Sequence, residues 1–514
     1  MIKTVKTYTT MWLEWYEVQV EIDSSRAIPT IDIIGLPDAA IKEAKERLKA
    51  TCRNVWLELP PRKIILNLAP SDIKKVGTSF DLPMAVALYI LLRQDNHPHT
   101  KLIQQALFFG ELGLDGRIKR MNGLLPCVLS AHKKGYKHFF VPEENVCELE
   151  YIPNIIIYPV KHFRQLINFL QGQQSIIPLT EAKDISTLYQ HQHTTVDFAH
   201  IKWHIALKRA MSIAAAWSHN ILLVGAPGSG KTMLSKALQS ILPPLGFEEI
   251  LEVSQIYSVI GKLDKDTPLI TTRPFRQVHH TASKVSIVGG WQRLTPGEIS
   301  LAHKGILFFD ELPEFPREVL EVLRQPMEDN MVTISRASGT AQYPANFMFV
   351  SSMNPCKCGF YKDHDKACIC SYNEIKKYQS KLSWPLLDRI DMILEVPREK
   401  IDTIMDKWQG ESSEDIRDKV ITARQCQQVR FQWTDLRANA HMQSQHIDKY
   451  IDLDQKCQNF LKQAANSLHL SARVVHRIIK LARTIADMGE NESISMQHLA
   501  EAMHYRSKTM FIED

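Results

Sequence analysis

The chain has 514 residues, more than a single hydrophobic core can serve, so about two to four domains are expected. Hydrophobic residues make up 44% and charged residues 23%, as in ordinary soluble globular proteins, and the longest apolar run, residues 82–92, is too short to span a bilayer. A net charge of +5 does not argue for nucleic acid by itself; a local basic patch or a ring of repeated subunits would be needed. The N-terminal MIKTVKTYTTMWLEW has no apolar h-region and no small-residue cleavage site, so a cytoplasmic protein is expected.

In chain order, residues 1–170 alternate strand-like runs (VQVEIDS, IDIIGL, KIILNL) with helical ones at 39–50 and 82–92, and a further αβ unit runs from 119–134 into HFFVPEEN. Residues 171–196 are polar and aperiodic and read as a linker. From residue 197 the pattern becomes helix, buried strand (NILLVG), glycine-rich loop, helix, and then further buried strands GILFFD and NFMFVSS. This alternation predicts an α/β domain with a mostly parallel sheet over 197–398. Residues 399–514 read as helices, with 470–485 the clearest amphipathic stretch.

The loop GAPGSGKT, residues 225–232, carries the first chemistry. Gly225, Gly228 and Gly230, with Ala226, Pro227 and Ser229 between them, let the backbone curl so that N–H groups face phosphate oxygens, helped by the following helix N-terminus. Lys231 then reaches the β- and γ-phosphates of ATP, and the Thr232 hydroxyl ligates Mg2+. The buried run ILLV before the loop and MLSKALQSIL after it provide the strand–loop–helix setting this motif needs. Further on, ILFFDE places Asp310 at a strand end to hold the Mg2+ shell and Glu311 beside it to polarise the attacking water. Asn354 ends the next strand, where an amide would orient that water or read the γ-phosphate; an ordinary strand-end cap fits as well. Arg389 in PLLDRID and Arg473 in LSARVVHRII have the delocalised cation suited to transition-state phosphoryl charge, although on spacing alone surface salt bridges are the better reading of both.

Of nine cysteines, Cys356, Cys358, Cys368 and Cys370 cluster in CKCGFYKDHDKACIC. Two Cys-x-Cys pairs predict a structural tetrahedral Zn2+ site, with His364 able to replace one thiolate; free thiols or a redox pair are the other readings.

Together the 225–232 loop, LAHKGILFFDELPEF, RQPMED, VTISRASG, SSMNPCKCG, LLDRID and LSARVVHRIIKLARTIADM resemble the ComM/YifB family over nearly the whole chain. These are AAA+ ATPases related to the magnesium-chelatase motor subunit and, more distantly, to the MCM helicases. The resemblance implies an AAA+ core with a helical lid, assembled as a homo-hexamer that drives DNA branch migration during natural transformation, with single-stranded, double-stranded and branched DNA as its partners. It also implies that Arg389 is an arginine finger offered to a neighbouring subunit and Arg473 a sensor arginine from the lid. The roughly eighty residues between Lys231 and Asp310 exceed a minimal strand–helix–strand step. The segment RPFRQVHHTASKVSIVGGWQRLTPGE resembles the helix insert of this clade. With the hairpin VTISRASGTAQ it would face a central pore, making Lys284, Arg293 and Arg336 candidate DNA-phosphate contacts and Trp291 a base-stacking or core residue.

The first 170 residues resemble the Lon protease domain, an α+β fold, through GELGLDGRIKRMNGLLPCVLSAHKKGYKHFFVPEEN. Ser79 falls near the nucleophile position, but Leu125 stands where the lysine base belongs, so a fold without peptidase activity is expected. Trp203 and His204 stand where the family usually has a Gly-Gln step near the adenine. A chelatase-like motor that remodels a metal-inserting partner is the alternative reading of the whole chain.

Overall fold

The computed structural model describes residues 3–11, 14–93, 98–189, 196–201, 205–290, 294–336, 339–363, 365–398, 410–432, 434, 439, 442, 444–468, 470–506 and 511. The chain forms two compact units, one of Met1–Gln190 with Phe247–Thr271, the other of His191–Gly246 with Thr272–Asp514.

In the first unit, β1 (Lys3–Met11), β2 (Glu14–Ser25), β3 (Ile31–Ile34), β4 (Lys63–Ala69), β5 (Ala106–Phe108), β8 (His138–Pro142) and β9 (Ile156–Val160) build a mixed sheet. Its order is β3-β4-β2-β1-β5-β8-β9, and β6 (Glu111–Leu112) pairs with β7 (Ile118–Lys119) in a small hairpin. The alternation of KIILNLA puts Ile64, Leu66 and Leu68 into the core. Helix Asp81–Leu92 is apolar all round and correspondingly buried from Asp81 to Tyr89; the Asp81 carboxylate is held by Arg47 Nε at 2.7 Å. Leu125 is wholly buried in helix Leu124–Lys133, where an ammonium would be desolvated, while Ser79 is half-buried. Helix Phe247–Val259, which follows the glycine-rich loop in sequence, belongs to this unit: Ser258 O accepts from Gly123 N at 2.9 Å, and Ser258 Oγ donates to Glu148 Oε2 at 2.7 Å. Within residues 171–196, Leu179 exchanges both backbone hydrogen bonds with Ile157 of β9.

In the second unit, β10 (Ile221–Val224), β11 (Phe275–Val278), β12 (Ile306–Phe309), β15 (Met348–Met353) and β16 (Met392–Glu395) form a wholly parallel sheet in the order β11-β12-β15-β10-β16. The first residues of the expected insert therefore serve as an edge strand, β11. The strands β10, β12 and β15 are buried at every position, as a parallel sheet covered on both faces requires. Register aligns their carboxyl ends: Val224 lies opposite Met353 and Glu395, and Phe309 opposite Ser351. In such sheets, sites form just beyond that edge. The hairpin β13 (Met331–Arg336) and β14 (Gly339–Pro344) stands apart from the sheet.

Helices Ser413–Arg430, Ser444–Tyr450, Gln455–Ser467, Ala472–Met488 and Met496–His504 follow. Ser471 caps Ala472–Met488, and its stripe Val474, Ile478, Leu481, Ala482 and Ile485 joins the same core as Trp217, Ile221 and Leu238. The fold is thus the mixed α/β expected, with a parallel-sheet core and a helical C-terminal part. Among the described residues no helix is long and apolar enough to cross a membrane.

Candidate nucleotide site and metal centre

The loop after β10 turns through Gly228 and Gly230, at φ +79° and +86°, and hands over to helix Lys231–Ile241. A Cβ on Gly225 would lie 2.3 Å from Val396 O, so the loop sits against the end of β16 as only glycine allows. Ser229 Oγ is buried with no hydrogen-bond partner among the described residues, and the first N–H groups of an α-helix lack intrahelical acceptors. A buried hydroxyl and a helix N-terminus on one small loop fit the oxygens of a phosphate chain.

Lys231 Nζ donates to Gly225 O at 2.8 Å, to Ala226 O at 2.9 Å and to Asn354 Oδ1 at 3.3 Å. Burial pulls its pKa down to about 8, against the opposing pull of Asp310 and Glu311. Thr232 Oγ1 donates to Asp310 Oδ2 at 3.1 Å, and Ser352 Oγ donates to Asp310 Oδ1. A carboxylate flanked by two hydroxyls at adjacent strand and helix ends is a hard-oxygen donor set that fits Mg2+. Glu311 occupies the left-handed region at φ +54°, its N–H 3.3 Å from Ser352 Oγ. Its carboxylate is exposed and 4.0 Å from His280 Nδ1, on a cleft of about 480 Å³ lined by Gln277, Val278, His279, His280, Asp310 and Glu311. Lys231, Thr232, Asp310, Glu311 and Asn354 are thus brought to one edge of the sheet, joined by Ser352 and His280, which sequence reasoning missed.

The two arginines meet on a carboxylate that the sequence reading left without a role. Arg389 Nη2 and Arg473 Nη2 each lie 2.7 Å from Glu328, on Oε2 and Oε1 respectively. Arg389 is buried, with Nη1 on Pro385 O at 2.6 Å, whereas Arg473 is half exposed. Behind them, Asp391 accepts from Asn220 N at 3.0 Å, pairs with Arg477 and lies 3.3 Å from His219 Nδ1. Despite deep burial, those charges hold the Asp391 carboxyl far below the usual carboxylate range. Arg477 also donates to Arg389 O at 3.0 Å, so Asp391 and Arg477 tie the Arg389 segment to helix Ala472–Met488.

Cys356, Cys358, Cys368 and Cys370 bring their sulfurs within 4.8 Å of one another. The Cys356–Cys358, Cys358–Cys368 and Cys356–Cys368 separations are 3.3, 3.5 and 3.7 Å, too long for disulfides and near the roughly 3.8 Å edge of a tetrahedron with 2.3 Å metal–sulfur arms. Burial raises the Cys358 thiol, but backbone N–H groups of Phe360 and Ile369 aimed at its sulfur leave it lowered to about 6. A thiolate so supported fits Zn2+. His364 lies outside the described residues.

Arg336 is exposed at the end of β13 and reaches over Gly290, where a Cβ would lie 3.4 Å from Arg336 Nε. Lys284 is exposed at the start of helix Lys284–Val288, and Tyr343 OH of β14 donates to Leu294 O at 2.8 Å, so hairpin and insert pack together. Arg293, Trp291, Trp203 and His204 lie outside the described residues.

Residues 197–404 match the family described as magnesium chelatase, subunit ChlI; residues 20–145 match subunit ChlI of Mg-chelatase, and 410–506 its C-terminal family. Competence protein ComM of Haemophilus influenzae is 36% identical over 498 residues, 96% of each chain. Protein YifB of Salmonella typhimurium is 36% identical over 493 residues, 95% of this chain and 94% of its own. The magnesium-chelatase 67 kDa subunit of Heliobacterium mobile is 24% identical over 189 residues, 31% of this chain and 28% of its own. With its P-loop edge, its parallel core and full-length relatives of this kind, the chain belongs to the ComM/YifB family of magnesium-chelatase-like AAA+ proteins.

Proposed function

We propose that the protein is an ATPase that works as a homo-hexameric ring and drives branch migration of recombination intermediates in DNA taken up during natural transformation. The observation that carries the ATPase reading is the cluster at the sheet edge, where Lys231, Asn354, Thr232, Asp310 and Ser352 are linked by hydrogen bonds. The competence-protein name of a full-length relative supports the DNA role.

ATP enters with its phosphates on residues 225–232. Lys231 exchanges its loop carbonyls for phosphate oxygens, whose negative charge favours the ammonium form that burial disfavours. Thr232 and Asp310 would hold Mg2+, which supplies charge neutralisation at the phosphates. Glu311, exposed beside that centre, takes the proton of the attacking water, and Asn354 links the γ-phosphate position to β15. Arg389, held on Glu328, acts as the finger on the nucleotide of a neighbouring subunit, and Arg473, on the same carboxylate, is the sensor arginine of the lid. Exposed Lys284 and Arg336, with Arg293, provide a sixfold-repeated cationic path for DNA phosphates. The four cysteines would hold one structural Zn2+.

ATP turnover measured with and without forked DNA tests this reading: stimulation by DNA is expected. Turnover indifferent to DNA but raised by a partner protein would favour the chelatase-like motor, the reading to which the Heliobacterium relative lends weight.

A further inference from the structure

The cysteine loop does more than close on itself. It leaves β15 at Asn354, whose side chain bonds Lys231, and Cys356 follows two residues later. It returns at Cys370, one residue before Ser371 caps helix Tyr372–Gln379. Gln379 Nε2 at the end of that helix donates to Pro355 O at 2.8 Å and closes the base. Four thiolates on one ion would therefore pin both ends of residues 357–369.

The pinned segment lies on the nucleotide loop. Gly359 has φ +87°, and a Cβ there would stand 2.4 Å from Pro227 Cδ, so the Gly359 backbone lies against the Pro227 ring where neither a side chain nor ordinary backbone angles would be accommodated. Arg398 bridges the same two loops. Its Nη2 donates to Pro227 O at 3.1 Å, its guanidinium stacks on the Phe360 ring at 4.8 Å, and its Nε is 3.9 Å from Asp363. The loops enclose a cleft of about 70 Å³, with Gly225 and Ala226 on one side and Pro355, Gly359 and Tyr361 on the other.

We propose that the four-thiolate centre is a metal-dependent brace of the nucleotide site: a bound Zn2+ holds Gly359 and Phe360 against Pro227 and Arg398, and its loading sets the affinity for ATP. The proposal rests on residues 225–232 being the nucleotide site and on the cysteines taking Zn2+. A purely structural zinc would stabilise its own loop and leave nucleotide affinity alone. Here the segment it orders is in contact with the residue that shapes the phosphate loop, so its disorder frees Pro227 and the Arg398 bridge together.

The experiment uses the full chain. Zinc is removed with a selective chelator in reducing buffer, the chelator is removed by gel filtration, and zinc is returned to one half. Binding of the fluorescent N-methylanthraniloyl derivative of ATP with Mg2+ is then titrated, with zinc content measured in parallel. The zinc-free protein should bind about tenfold more weakly, the worth of one charged hydrogen bond and its packing, and repletion should restore it. Gly359→Val and Phe360→Ala should keep their zinc and still bind nucleotide more weakly; this arm stands even where zinc removal unfolds the chain. Equal affinity with and without zinc, or wild-type affinity in both variants, overturns the brace. A protein that takes up no zinc overturns it through the metal reading. Lys231→Ala that binds as tightly as wild type instead overturns the nucleotide site.

Discussion

Glu328 is the residue through which the two arginines can be tested most sharply. Removing its charge with Glu328→Gln leaves an amide able to accept from only one guanidinium. The Arg473 pair is half exposed at 49% and is worth about 0.2–1 kcal/mol. Arg389 is 10% exposed and loses its carboxylate partner, which for a buried pair costs about 3–5 kcal/mol; the 34% exposure of Glu328 lets water in and reduces this to about 2. Double-mutant cycles of Glu328→Gln with Arg389→Gln and with Arg473→Gln separate the two. The thermal transition of the second unit should shift by about 2–4 °C per kcal/mol, with a coupling near 2 kcal/mol for Arg389 and below 1 for Arg473. ATP affinity should be unchanged while turnover falls, because the carboxylate positions the arginines and does not touch the subunit's own phosphate loop. Equal couplings, or a larger one for Arg473, would refute the assignment of Arg389 as the buried, carboxylate-dependent member.

Lys231→Ala should abolish tight ATP binding, seen by equilibrium titration, whereas Glu311→Gln should bind ATP and trap the assembled ring; wild-type turnover in Glu311→Gln removes it as the catalytic base. Arg389→Ala should bind ATP without hydrolysing it, and mixing it with Lys231→Ala subunits should restore some turnover through hybrid interfaces; mixed rings with none would exclude action in trans. Arg336→Ala should keep basal ATPase and weaken DNA binding uniformly across sequences, with a shallower salt dependence in filter or anisotropy assays. Asp391→Asn should cost about 3–5 kcal/mol by stranding Arg477. Because the folded Asp391 carboxyl is held below its unfolded value, its contribution is complete above about pH 4 and drains only as pH falls further. An Asp391→Asn chain that loses nothing relative to wild type at neutral pH in urea unfolding would contradict this.

The strands β10 and β12 were legible because each is an unbroken apolar run, the pattern that burial on both faces demands, and β15 because MFV opens such a run before two buried serines. Strand β11, FRQV, escaped because an edge strand with three partly or fully exposed residues carries no such run. The nucleotide residues could be read because their chemistry is local: eight consecutive residues make the loop, and Asp310 and Glu311 announce a strand end. Glu328 could not, since its partners lie far along the chain at Arg389 and Arg473, and RQPMED has no feature of its own that points to them. The same holds for Phe247–Val259. Its amphipathic face marks a buried helix but not the helix Leu124–Lys133 region against which it is bonded through Gly123 and Ser258. The Cys cluster declared its ligands by spacing, yet its contact with Pro227 depends on a backbone approach at Gly359 that spacing does not encode.

The central claim is that ATP hydrolysis at this site moves DNA junctions. The direct measurement is processing of a labelled synthetic four-way junction near physiological salt by the wild-type protein and by Glu311→Gln, each with ATP and Mg2+. The wild type should convert the junction to branch-migrated products in proportion to ATP consumed, and Glu311→Gln should bind the junction without converting it. Brisk ATP turnover by the wild type with the junction left intact, or equal conversion by both proteins, would contradict the account.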